Sequence, residues 1–329
     1  MKFTENMLNE YSQPLSITED TQCKNAISMV ADALKKYGLS DDGNIQPLYP
    51  DTYAYSLRLR NADNSRNVKI FVQGSYANNT NVRANSDVDI AVIQEEIFRT
   101  EYRKDLNCPQ SDKDYGFVVA PASTKSFKDE VQQCLELKFG SDVKRKNKSI
   151  KVDGNSYRKD ADTVPCLRYR NYTKDYSYDA KAYIGGVVIY PDDGGSIINY
   201  PEQHIDNGRR KNDSTNHYYK KMVRIMKKMR YLMEDSQETR YKNSAEKVSS
   251  FMLESLLWNI DDSWYLSYCP KYRKVFVFKK LIELCQQNKP NFWIYKEANG
   301  IKHLCSSSED FGNLCAFIDQ LALFYDYDS

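Results

Sequence analysis

The sequence predicts an α+β protein in two parts: a mixed sheet with helices over residues 1–205 and an all-helical part over 206–329. Three observations carry this. Short strand-like runs, such as Asn67–Gln73, Asp87–Ile93, Ile150–Val152 and Thr163–Leu167, cluster before residue 200. After that point, long segments repeat their apolar residues at helical spacing. Near the change lies Asn207-Gly208, a turn signal. A length of 329 residues suits two domains or one large one, and either can bury a real core.

Taken in order, residues 16–37 read as an amphipathic helix, with Ile17, Ala26, Ile27, Val30, Ala33 and Leu34 on one side. Thr18 is its expected cap, Glu19 and Asp20 suit its first turn, and Gly38 is a stop signal. This helix is expected to brace both parts from behind. Residues 53–60 form a strand and Asn61–Arg66 a turn. The strand over 67–73 ends at Gly74. A polar segment over 75–86 follows, as a turn or short helix plus loop, and leads into the strand at Asp87. Residues 124–139 read as a helix with Phe127, Val131, Cys134 and Leu135 on one face. In the second part, helices are predicted over 214–235, 244–258, 274–287 and 309–325. Tyr219, Met222, Val223, Met226 and Met229 make a stripe on the first of these, which is the expected core side.

Composition narrows the function classes. Hydrophobic residues make up 41% and charged residues 28%, as in an ordinary soluble globular protein. Lys+Arg number 47 and Asp+Glu 45, and a net charge of +2 argues against a dedicated nucleic-acid binder. No apolar run approaches a membrane span. The first 30 residues carry four acids and no apolar region of the kind that secretion needs. The eight cysteines are scattered, with no C-x-x-C pair, and read as reduced thiols of a cytosolic protein. His204, His217 and His303 lie near no cysteine cluster, which argues against a zinc site.

One stretch carries chemistry: Val72-Gln73-Gly74-Ser75, eleven residues, then Asp87-Val88-Asp89-Ile90. Carboxylates at i and i+2 of a strand project to one face. Side by side they repel unless a cation lies between them. Hard carboxylate oxygens suit Mg²⁺ or Mn²⁺. Upstream, Gly74 lets the backbone approach a phosphate closely, and Ser75 adds a hydroxyl donor. A phosphate cradle at Gln73-Gly74-Ser75 beside a metal-binding carboxylate pair implies a nucleoside triphosphate.

Gly-Ser-x11-Asp-Val-Asp resembles the signature of the DNA polymerase β-like nucleotidyltransferases. Three further stretches resemble the bacterial cGAS/DncV-like nucleotidyltransferases: Lys159–Cys166, Pro201–Asn212, and Tyr219–Lys227 together with Ser250–Glu254. The resemblance implies a polymerase β-like palm joined to a C-terminal helical lobe, with the triphosphate in a cleft between them. It implies that Asp87 and Asp89 bind two Mg²⁺ ions, with Asp162 as third carboxylate. Asp160 shares a strand face with Asp162, and the family spacing to Val164-Pro165 selects Asp162. Ser75, Lys220 and Ser250 are implied to hold the triphosphate, with Lys221 and Ser249 as competitors for the last two positions.

The activity so implied is the joining of NTPs (ATP, GTP or a pyrimidine NTP) into a cyclic di- or trinucleotide, with release of pyrophosphate. In this family the product is a diffusible messenger of anti-phage (CBASS) signalling that acts on a separate effector. The expected protein is cytoplasmic and monomeric, and needs neither nucleic acid nor membrane. A template-independent RNA-tailing enzyme shares the three carboxylates, but would normally carry a basic surface or an RNA-binding appendage. A catalytically dead nucleotide-binding module would lack a carboxylate. Lys144–Lys151 holds five basic residues in eight and reads as a solvated hairpin edge or a basic rim. Gly185-Gly186 and Gly194-Gly195 read as strand-end turns, and His204 as a structural hydrogen-bonder.

Overall fold

The computed structural model describes residues 2–14, 16–35, 38–41, 45–49, 52–63, 65–82, 87–105, 107, 109–120 and 125–327. Several expectations fall partly outside these: residues 36–37 of the first expected helix, residue 64 of the expected turn, residues 83–86 of the polar segment, Cys108, and residue 124 of the expected helix over 124–139. The chain begins with β1 (Lys2–Phe3), α1 (Glu5–Tyr11), α2 (Ile17–Leu34), β2 (Ser40–Asp41), β3 (Gln46–Pro47), β4 (Tyr55–Arg60) and β5 (Asn67–Val72). Then follow α3 (Gly74–Ala77), β6 (Val88–Glu101), α4 (Phe127–Phe139), β7 (Val143–Arg145), β8 (Ile150–Val152), β9 (Ala161–Asn171), β10 (Ile184–Ile189) and β11 (Ile197–Asn199). Helices complete it: α5 (Pro201–Ser214), α6 (Tyr218–Glu234), α7 (Thr239–Glu246), α8 (Ser250–Trp258), α9 (Asp262–Tyr268), α10 (Lys274–Gln287) and α11 (Ser308–Phe324), before a final β12 (Asp326–Tyr327).

Two compact units result. The sheet unit comprises Ser16–Ala77 and Ala84–Glu202; the helical unit comprises Met1–Leu15, Asn78–Arg83 and Gln203–Ser329. The expected division at 205/206 therefore differs in membership. The N-terminal segment joins the helical unit because β1 pairs with β12 and α1 packs on α6 and α10. Residues 78–80 are tied to it by hydrogen bonds to His204, Arg224, Lys227 and Glu254.

In the sheet unit, ten described strands form one mixed sheet in the order β11-β10-β9-β6-β5-β4-β2, with β3 on β4 and β8 bridging β7 and β9. The β6–β9 pair is parallel and the others are antiparallel. Helix α2 packs on α4 and on β4, β5 and β6 of its own unit, burying Ala26, Ile27, Val30, Ala33 and Leu34. Its cap is Ser16 rather than Thr18. Ser16 accepts from the Glu19 amide while the Glu19 carboxylate accepts from the Ser16 amide, a reciprocal pair that Thr18 has no partner to make.

The helical unit is built around α6. Tyr219, Met222, Val223, Met226 and Met229 are all buried, in a core shared with Leu253, Leu256, Leu257, Phe278 and Phe317. The break before α6 comes from Asn216 and His217, both with positive φ. The helix expected over 244–258 is two, α7 and α8, because Ser249 caps a new start by accepting from the Met252 amide. Asn207-Gly208 lies inside α5 and makes no turn. A Cβ at Gly208 would lie 3.1 Å from Asn78 Oδ1, so the glycine serves close approach. Gly185-Gly186 likewise lies within β10, where a Cβ on Gly186 would meet Asn199 O and the Tyr200 ring at 2.9 Å. Gly194 and Gly195 do form a turn, both at positive φ.

Among the described residues no helix is long and apolar enough to cross a membrane. The seven described cysteines are free thiols.

Candidate active site

The site in the sheet unit starts where β5 gives way to α3. Gly74 has φ +69°, and a Cβ there would collide with Asp89 Oδ2. Only glycine lets the chain turn this close to the carboxylate. The Gln73 amide donates to Asp89 O at 2.9 Å, which binds the turn to β6. Ser75 sits in the first turn of α3.

Register does the rest. Asp89 of β6 stands opposite Asp162 of β9, and Asp162 stands opposite Lys151 of β8. Paired residues of neighbouring strands project to one side, so Asp89, Asp162 and Lys151 form a row on one face. Val88 and Ile90 point the other way and are fully buried. Asp87 joins the group through Lys146, whose Nζ lies 2.9 Å from Asp162 Oδ1 and 3.7 Å from Asp87 Oδ2. Asp160 is engaged elsewhere: it pairs with Lys151 at 2.7 Å and accepts from the Gly154 amide. The Lys151 hydrogen bond holds its carboxyl below the usual range.

Asp89 is a buried carboxylate facing two others. Burial pushes its carboxyl up to about 7, the charges of Asp162 and Asp87 add to this, and Lys146 partly offsets it. A divalent cation fits this donor set, since it would relieve the repulsion and bind hard oxygens. Among the described residues the carboxylates do not close into a three-ligand group. The Lys146 ammonium stands in for the positive charge instead.

Four of the five basic residues of the run 144–151 are therefore engaged, and Lys148 alone is exposed without an ion pair among the described residues. Lys144 pairs with Asp153, Arg145 with Asp129 and Asp192, Lys146 with Asp162 and Lys151 with Asp160. Sequence reasoning missed Lys146. Its signal was the density of basic residues opposite the third carboxylate's strand.

In the helical unit, Lys220 is buried on α6, and its ammonium has no partner among the described residues. Burial lowers its pKa to about 8, against the opposing pull of Glu254. Lys221 lies over the Tyr218 ring, 5.1 Å from its centroid. Ser250 Oγ lies 3.2 Å from Tyr231 OH, while Ser249 is taken up as a cap. Lys220 and Tyr231 are eleven residues apart on α6, about 16 Å of helix rise. Lys220 and Ser250 thus stand near opposite ends of that helix, whereas the three carboxylates and Gly74 converge.

Between those ends runs a buried polar network. Glu254 receives Lys227 Nζ at 2.5 Å and Thr80 Oγ1 at 2.8 Å, and His204 Nε2 lies 2.9 Å away. Burial raises the Glu254 carboxyl, but Lys227 and His204 outweigh it and hold the group far below its ordinary value. Arg224 donates to Asn79 O and Ser12 O. Together these bonds hold residues 78–80 to the helical unit. The role of His204 is structural.

Comparison with known proteins identifies the family and the fold. Residues 55–183 match the nucleotidyltransferase domain, and residues 206–326 match the cGAS/DncV-like nucleotidyltransferase C-terminal helical domain. A cyclic GMP-AMP synthase of Staphylococcus schleiferi is 42% identical over 99% of this chain and 98% of its own length. A cyclic dipurine nucleotide synthase of Elizabethkingia meningoseptica is 34% identical over 93% of this chain and 92% of its own. The solved structure of the E. meningoseptica CdnE cyclic dinucleotide synthase with GTP and Apcpp superposes with a TM-score of 0.70 at 29% identity, covering 98% of this chain and 99% of that one. The Rhodothermus marinus CdnE structure shares the fold, with a TM-score of 0.72 at 24% identity over 99% and 98%. With both domain models matched in order and similarity running the length of the chain, this protein is a bacterial cGAS/DncV-like nucleotidyltransferase, an enzyme of the DNA polymerase β-like superfamily.

Proposed function

We propose that the protein joins nucleoside triphosphates into a cyclic di- or trinucleotide and releases pyrophosphate. The single observation that carries this is the register of β6 and β9, which sets Asp89 beside Asp162 and against the Gly74 turn. The 42% identical cyclic GMP-AMP synthase supports ATP and GTP as the first substrate pair to test.

In this reading Asp87, Asp89 and Asp162 would hold two Mg²⁺ ions, or Mn²⁺. These would lower the pKa of the acceptor ribose hydroxyl and offset charge on the departing pyrophosphate. The chain's own residues do the rest. Asp162, paired to Asp89 by the sheet, orients the acceptor side of the site. Gly74 gives the phosphate chain access to backbone, with Gln73 beside it, and Ser75 donates a hydrogen bond. Lys220 on α6 and Ser250 at the start of α8 are assigned phosphate contacts at separate points. A buried lysine without a carboxylate partner suits an anion, because burial removes competing water.

The messenger reading follows from the family. The product diffuses to a separate effector in anti-phage (CBASS) defence, and the enzyme works as a cytoplasmic monomer. Nucleic acid is not required: the charge is nearly balanced, and four of the five basic residues of the run 144–151 are held in ion pairs. Nuclease-treated protein given NTPs and Mg²⁺, with and without added DNA or RNA, tests this. Undiminished synthesis without nucleic acid supports it, and extension of an RNA primer overturns it.

A further inference from the structure

We propose that Lys146 is a resident counter-cation of the carboxylate site, presented by an anchored turn, and that the divalent cation displaces it on binding. The inference rests on the metal-binding role proposed for Asp87, Asp89 and Asp162.

The contact itself is specific. Lys146 Nζ lies 2.9 and 3.1 Å from the two carboxylate oxygens of Asp162 and 3.7 Å from Asp87 Oδ2. It occupies both oxygens of one carboxylate and shares a second. Charged neighbours in the same run are directed elsewhere, Lys144 to Asp153 and Arg145 to Asp129 and Asp192. Lys151 lies at the same 3.7 Å from Asp87 Oδ2 as Lys146 does, but forms no ion pair with Asp162 among the described residues and has Asp160 at 2.7 Å as its nearer partner.

The backbone under Lys146 is fixed. Lys128, buried on α4, donates to Lys146 O at 2.8 Å, to Asn147 O at 2.7 Å and to Asp192 at 2.9 Å. Asn147 O also accepts from the Asp192 amide, and the Asn147 side chain exchanges two hydrogen bonds with Asp193. The Lys146 amide donates to Ser149 O. A buried ammonium spent on two carbonyls is more than an idle hairpin tip needs. It fixes where the Lys146 side chain starts, and leaves the side chain itself free to move.

The side chain is 43% exposed, so it can swing into water without a burial cost. An ammonium that bridges both Asp162 oxygens competes with a divalent cation for the lone pairs those oxygens turn to the site. Binding the metal therefore means giving up the Lys146 contact, and that contact subtracts from metal affinity. It also keeps the repelling carboxylates together while the metal is away.

The test uses Mn²⁺ as probe, with the full chain and no nucleotide, and counts free Mn²⁺ by electron paramagnetic resonance. Lys146→Met should bind Mn²⁺ more tightly than wild type, by about 1.5- to fivefold, the range expected for a half-exposed ion pair. Lys146→Arg, which keeps the charge, should restore wild-type affinity. Asp89→Asn should lose the site. If Lys146→Met binds Mn²⁺ no more tightly than wild type while Asp89→Asn has lost it, the inference is wrong and the metal reading stands. If wild type and Asp89→Asn bind Mn²⁺ alike, the metal reading fails and takes this inference with it.

Discussion

Replacing Asp89 with Asn should make the metal-free protein more stable while removing its activity. Burial and two neighbouring carboxylates raise the Asp89 carboxyl from 3.8 to about 7 in the folded chain. In the unfolded chain it ionises at its ordinary value. Between about pH 4 and 7 the folded state therefore holds a proton that the unfolded state has lost. Stability from this group falls as pH rises through that window, and the full cost is present above it. About three units at 1.36 kcal/mol each sets an upper bound of roughly 4 kcal/mol, reduced by whatever relaxation the site allows. Asparagine keeps the shape and removes the charge. Urea unfolding in EDTA should show the variant more stable by about 2–4 kcal/mol at pH 8 and level with wild type at pH 4. Excess Mg²⁺ should stabilise wild type and leave the variant unchanged. A variant less stable than wild type at pH 8 in EDTA, or equally stabilised by Mg²⁺, would refute the reasoning.

Further outcomes follow from the same geometry. Gly74→Ala should cut turnover by about a hundredfold, because its Cβ meets the Asp89 carboxylate in a positive-φ turn; pyrophosphate release measures this. Glu254→Gln should cost about 3–5 kcal/mol in urea unfolding, since Lys227 is left as a buried charge without its counter-ion. Lys220→Met should raise the NTP concentration needed for half-maximal rate. Wild-type NTP affinity should weaken as pH rises through about 8, where the Lys220 ammonium loses its proton, and the methionine variant should lack that step.

Local signals made much of the sheet unit legible in the sequence. Period-2 alternation around Asp87-Val88-Asp89 and the glycine closing β5 are properties of adjacent residues, and both sit where expected. The stripe through Met222, Met226 and Met229 is likewise local, and is buried. What escaped depends on partners far along the chain. The Asn207-Gly208 pair favours a turn in isolation, yet Asn207 donates to Ala298 O and Gly208 approaches Asn78, so tertiary contacts keep α5 helical. Residues 144–151 looked solvated because nothing local shows that β8 pairs with β9 in the register that sets Lys151 opposite Asp162. The choice between Asp160 and Asp162 has the same origin, since only register shows which of them faces Asp89. Membership of Met1–Leu15 in the helical unit rests on the β1–β12 pairing, which joins the two ends of the chain.

The most direct test of the central claim is the mass of the product. Purified protein is incubated with all four NTPs and Mg²⁺, beside Asp87→Asn and Asp89→Asn variants, and the reactions are resolved by mass spectrometry. The account predicts a cyclic di- or trinucleotide from wild type, with one pyrophosphate released per linkage, and none from either variant. Linear oligonucleotides of growing length, or equal product from the aspartate variants, would contradict it.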